Sequence, residues 1–118
     1  MRKLFIEFRV SVTPSLNAIK GKWGRQNIKK RYEKEMQGYE LIPADQTWLQ
    51  ERKKRKITIE RHGKRLIDYD NFVGGCKSLT DLIKQKGLIV DDSPEWVEIE
   101  YQQYKSDTPI TIVKIEQI

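Results

Sequence analysis

With 118 residues, 37% hydrophobic and 34% charged, the chain has material for one modest core and none for a second. No apolar run approaches the ~18 residues of a membrane-spanning helix. The net charge of +6 suits a nucleic-acid partner and, equally, mere solubility of a small domain, and the lone Cys76 and lone His62 exclude both an internal disulfide and a Cys/His metal site. A single thiol suits a reducing, cytoplasmic compartment.

Leu4, Ile6, Phe8 and Val10 alternate with Phe5, Glu7 and Arg9. This predicts a period-two strand, not the unbroken apolar core of a signal peptide. Pro14 breaks it. Residues 15–26 read as a polar, basic loop, with Lys20, Lys22 and Arg25 around Trp23. Ile28, Tyr32 and Met36 recur at i, i+4, i+8 and predict a helix over about 25–37, stopped by Gly38. Residues 41–50 read as a connection in which Asp45 could cap a short turn carrying Trp48. The basic run 52–56 leads into a second alternating strand through Ile57 and Ile59.

Leu66-Ile67 then continues as an extended segment into Asp68-Tyr69-Asp70. In a strand Asp68 and Asp70 would share one face. A helix follows with Leu79, Leu82 and Ile83 buried, the Gly74-Gly75 pair at an irregular start and Gly87 as its stop. Residues 88–90 read as a short strand into Asp91-Asp92, and Ser93-Pro94 as a turn. Val97, Ile99 and Tyr101, then Ile110, Ile112 and Lys114, read as a C-terminal β-hairpin. The order predicts one α+β domain over 1–118: a mixed β-sheet, two main helices and the C-terminal hairpin.

The charge is divided unevenly. Residues 1–67 hold 18 Lys/Arg against 7 Asp/Glu, and residues 68–118 hold 5 against 10. A basic section beside an acidic one is what a metal-dependent enzyme acting on nucleic acid needs: one part attracts phosphates, the other holds a cation. Asp68 and Asp70 stand before the second helix, and Asp91 and Asp92 after it. Carboxylates gathered there suit a hard divalent ion that keeps some of its water. One or two Mg²⁺ ions so held can activate water and stabilise the leaving oxygen of a phosphodiester. Lys77, the only basic residue in 67–83, is the candidate to neutralise the phosphate or position water. The bland alternatives are a helix cap for D-Y-D and turn chemistry for D-D-S-P. A calcium loop and a P-loop do not fit the spacing.

Asp68-Tyr69-Asp70-Asn71, Lys77, Asp81, Gly87, Asp91-Asp92 and the N-terminal Pro14-Ser15-Leu16-Asn17 together resemble the RusA-like endodeoxyribonucleases, which include Holliday junction resolvases of phage and prophage origin. The resemblance covers most of the chain and is weakest over 20–55. Lys77 follows Asn71 by six residues where the best-known members have three, and Gly74-Gly75-Cys76 makes up the difference.

The resemblance implies a Mg²⁺-dependent endonuclease (Mn²⁺ as a substitute) that resolves four-way junctions by paired nicks in DNA recombination and repair, in a bacterial or phage-infected cell. It implies Asp68, Asp70 and Asp92 as metal ligands, Asp91 as an assistant, and a homodimer bound to branched DNA. Lys20, Lys22, Arg25, Lys29, Lys30, Arg31 and the run 52–56 are the candidate phosphate contacts, with Trp23 and Tyr32 as candidate stacking residues. A non-catalytic DNA-binding protein, or a nuclease for other branched intermediates, remains the alternative.

Overall fold

Alternation builds the sheet. Strands β1 (Phe5–Val10), β2 (Arg55–Gly63), β3 (Val97–Lys105) and β4 (Ile110–Gln117) form one mixed sheet in the order β1-β4-β2-β3. The computed structural model describes residues 5–19, 21–37 and 52–117. The expected Gly38 stop, Asp45 cap and Trp48 turn lie outside them. Among the described residues no helix is long and apolar enough to cross a membrane.

One sheet face carries Ile6, Phe8, Val10, Ile57, Ile59, Val113 and Ile115, all buried. Among the described residues three helices cover it: α1 (Gly21–Met36), α2 (Tyr69–Gly75) and α3 (Lys77–Gln85). Tyr32 and Met36 from α1 meet Phe72, Cys76, Leu79, Leu82 and Ile83 from the second helical stretch in one cluster. The other sheet face is charged, with Lys56 on Glu100 at 3.4 Å and Lys54 on Glu98 at 3.5 Å.

β2 and β3 run parallel, joined by the helical crossover, and β4 is antiparallel to both β1 and β2. This corrects the expected C-terminal hairpin. β3 and β4 follow one another in sequence but do not pair, because β2 lies between them. The 106–109 connection passes over the end of β2, where the Ser106 N–H donates to the Gly63 carbonyl at 2.8 Å. Alternation marks a strand but not its neighbour, and the ordinary bias toward sequential pairing was overridden by the parallel crossover.

Three local expectations also change. The first helix begins four residues before Arg25, at Gly21, whose φ of +65° suits only glycine well. Ahead of it, Leu16–Ala18 form a 3-10 turn in which the Ser15 hydroxyl accepts from the Asn17 N–H. Residues 88–90 are not a strand: they form a bent, buried segment led by Leu88 and Ile89.

Arg55 belongs to the basic run yet is only 1% exposed, because it keeps phase with Ile57 and Ile59. Its Nη1 donates to the Leu88 carbonyl at 2.9 Å, tying the start of β2 to the segment before Asp91. Arg55→Ala is expected to lower unfolding free energy by about 2–4 kcal/mol, since it opens a cavity and strands a buried acceptor. Urea denaturation measures this; an unchanged midpoint would show that the tie is dispensable.

Candidate functional site

The site begins where two distant segments touch. The Pro14–Asn17 stretch lies against α2, and glycines make that approach possible. A Cβ on Gly75 would overlap the Pro14 carbonyl oxygen, and one on Gly74 would stand 2.8 Å from a Leu16 methyl. The stretch is also tied to the sheet, as the Thr13 N–H donates to the Thr111 hydroxyl at 2.9 Å and Arg61 Nε donates to the Thr13 carbonyl at 2.9 Å. Gly74-Gly75 is therefore a packing surface inside α2, not a loose helix start.

Asp68 and Asp70 sit at the front of α2. The strand expected there does not form. Ile67 exchanges both backbone bonds with the Gln103 side chain, donating to Oε1 at 3.0 Å and accepting from Nε2 at 2.9 Å. A single amide thus replaces a ladder partner, and the helix starts two residues later. Asp68 occupies the N-cap position, yet its side chain makes no capping bond. Asp70 is in the first turn, and both carboxylates are exposed. The helix rotates each residue by about 100°, so the expected common strand face for the two acids is lost.

Asp91 and Asp92 follow the far end of the crossover. α3 closes with Gly87 at φ +76°; its N–H donates to the Lys84 carbonyl at 3.0 Å and the Leu88 N–H to the Ile83 carbonyl at 3.2 Å. This paired closure folds the chain back. It leaves Lys84 Nζ 2.9 Å from Asp91 Oδ1 and 3.6 Å from Asp92 Oδ1. Hydrogen bonding to Lys84 holds the Asp91 carboxyl below its ordinary range, and Asp91 in turn pushes the Lys84 ammonium up. A lowered acid loses its contribution only as pH falls through the lowered value, and a raised amine only as pH rises through the raised one. The contact therefore persists throughout the neutral range.

Among the described residues no three His, Cys, Asp or Glu side chains stand close enough to hold a metal ion. The expected set of Asp68, Asp70 and Asp92 is thus not gathered: the acids form two pairs, one at each end of the crossover. A pair still fits Mg²⁺, which is commonly held by one or two carboxylates together with substrate phosphates. The Asp91–Asp92 pair already receives a cation, the Lys84 ammonium. A groove of about 720 Å³ along β3 is walled by Tyr69, Pro94, Lys54, Lys56, Glu98 and Glu100; it reaches a residue beside each acid pair, but none of the four aspartates lines it.

Lys77 keeps different company. It opens α3 and lines a concavity of about 150 Å³ with Arg25, Gln26, Lys29, Ser78 and Asp81. Its neighbours are therefore the basic residues of α1. The other candidates divide. Arg31 is 3.8 Å from Glu35 and lies over the Tyr32 ring, while Lys30 is exposed. Lys22 is in the first turn of α1, and Lys20 lies outside the described residues. Of the run 52–56, Arg55 is buried, Arg52 lies over the Trp96 ring, and Lys54 and Lys56 face glutamates. Trp23 is 76% exposed and available for stacking, whereas Tyr32 is fully buried and is not. Its burial pushes the phenol up to about 12.

Sequence reasoning missed Lys84 and Ser78. The signal for Lys84 was a basic residue in the last helical turn just ahead of a glycine stop and two acids. Ser78 had no signal beyond its place after Lys77. Comparison with family models and with curated proteins gives no match for this chain.

Proposed function

We propose that the chain is a metal-dependent endodeoxyribonuclease that cuts branched DNA, with four-way junctions in recombination and repair as its substrate. The observation that carries the reading is the packing of Pro14–Asn17 on Gly74-Gly75. It joins the P-S-L-N motif to the helix that opens with D-Y-D-N, two motifs some fifty residues apart in sequence. The groove that reaches both Tyr69 and Pro94 supports it further, as do Arg25, Lys29 and Lys30 of α1, which form no ion pair among the described residues.

In this reading Asp91 and Asp92, with Asp68 and Asp70 from the other end of the crossover, are the residues that would hold Mg²⁺ or Mn²⁺. When bound, such an ion polarises a phosphodiester and lowers the pKa of a water. The chain's own contribution is positional. Gly87 and Arg55 fix the Asp91-Asp92 segment, Gln103 fixes the approach to Asp68, and the basic face of α1 draws the DNA backbone in. A two-fold homodimer would offer two equivalent sites to a junction, which has the same approximate symmetry.

Lys84 favours one rival. Its contact with both Asp91 and Asp92 suits a DNA-binding protein whose acids are structural. One experiment separates the two. Purified protein is incubated with labelled four-way junction and matched linear duplex, in Mg²⁺ or in EDTA. The nuclease reading expects junction nicks in Mg²⁺ only. Equal binding under both conditions with no nick would leave the non-catalytic reading.

A further inference from the structure

We infer that Arg25, Lys29 and Lys77, with Ser78 between them, form a subsite for one backbone phosphate of a nucleic acid, with the adjoining sugar lying against Leu16 and Ile19. The inference rests on the nucleic-acid reading above and groups Lys77 with the cations of α1. Arg25 and Lys29 are one helical turn apart on α1, and Lys77 and Asp81 one turn apart on α3. The two pairs face each other across a concavity of about 150 Å³. That is well above the roughly 10–15 Å³ that admits one water.

Three features single out this hollow, although Arg25 and Lys77 are themselves exposed. First, none of the three cations forms an ion pair within 4 Å among the described residues, although Asp81 stands in the same wall. Like charges at i, i+4 repel, so Arg25 and Lys29 cost stability unless an anion lies between them and Lys77. Second, Ser78 is 9% exposed as a residue and lines the hollow between the cations, where a hydroxyl can donate to a bound anion. Third, a second concavity of about 200 Å³ shares Arg25, Lys77 and Ser78 and adds Leu16 and Ile19. A cationic hollow continuous with an apolar one matches a phosphate continuous with its sugar better than a free oxyanion.

The test reads binding, not cleavage. Anisotropy of a labelled duplex and of a four-way junction is measured in EDTA over a series of salt concentrations. Arg25→Ala, Lys29→Ala and Lys77→Ala are each expected to weaken binding several-fold and to lower the slope of log K against log salt by up to about 0.9. The triple variant loses no more than one phosphate's worth of slope, because the three share one ligand. Asp81→Asn is expected to tighten binding, a sign that misfolding cannot produce. Slopes that fall additively by about 0.9 per residue would overturn the shared subsite in favour of three separate contacts, and unchanged slopes would overturn it altogether.

Inorganic phosphate is titrated in parallel against ¹⁵N-labelled protein. If it shifts the Lys77 and Ser78 amides while duplex DNA does not, the site belongs to a free anion and the backbone assignment fails. Because no step depends on metal, a protein that binds as expected but never cuts would sink the nuclease reading and leave the subsite standing. A protein that cuts normally with unchanged slopes would do the reverse.

Discussion

Asp70→Asn and Asp92→Asn are each expected to abolish junction cleavage while leaving junction binding intact or slightly tighter. Asparagine keeps the size and most of the hydrogen bonding but removes the charge that an oxygen-loving dication needs. In the nuclease reading binding rests on the basic face of α1, and one less carboxylate near phosphate lowers repulsion. The loss should exceed the roughly 10–100-fold typical when only a partner of a metal ligand is removed. Asp91→Asn should be milder, because its amide oxygen can still accept the Asp92 N–H that Asp91 Oδ1 accepts at 2.9 Å. Cleavage and gel shift are measured side by side at fixed salt and Mg²⁺. Wild-type cutting by both Asp70→Asn and Asp92→Asn would reduce these acids to turn and cap residues.

Gly75→Ala should be clearly destabilising. Inside a helix, alanine normally gains up to about 1 kcal/mol over glycine. Here the added carbon would overlap the Pro14 carbonyl oxygen, a backbone atom held by the Thr13 bonds to Thr111 and Arg61. Either α2 or the Pro14–Asn17 stretch must move, and overpacking of this kind costs about 1–3 kcal/mol. Gly74→Ala is the control: it meets the Leu16 side chain, which can rotate. Urea denaturation of the two variants should therefore differ clearly, with Gly75→Ala the less stable. In the nuclease reading it should also cut more slowly at temperatures where it remains folded, since α2 carries Asp70. Equal stability of the two variants would mean that the Pro14 contact is not rigid.

The residues that announced the fold did so through periodicity. Ile57 and Ile59 mark a strand whatever stands beside it, and Leu79, Leu82 and Ile83 mark a helix face. Neighbour relations were not legible, because nothing in the Val97–Tyr101 or Ile110–Ile112 patterns says that β2 will come between them. The same holds at the site. Asp91 and Asp92 were visible as a pair because they are adjacent in sequence. Asp68 and Asp70 were visible as candidates, but their geometry turned on Gln103, a residue more than thirty positions away that completes the backbone bonding of Ile67. Lys77 was visible as a lone cation in an acidic stretch, yet its surroundings were set by the packing of α1 on α3, which sequence spacing does not report. Arg55 was misread as a surface candidate because residue type was weighed above phase: it continues an apolar stripe at i−2 from Ile57, whereas the place of Tyr32 at i+4 from Ile28 already favoured the core over stacking.

β4 lies between β1 and β2, and those two strands do not touch. A ribosome making this chain therefore releases every helix, and three strands of the sheet, before the strand that joins them. Until residues 110–117 appear, β1 has no described partner and β2 is bordered on one side only. The parallel β2–β3 unit can form early around its own crossover, but β1 must wait across about a hundred residues for its match. Such long-range closure slows folding, and it leaves apolar strand edges exposed in the interval. A chain halted near residue 106 would therefore not be a slightly shorter version of this protein. It would be two unjoined pieces of a sheet, open to aggregation until the keystone is supplied.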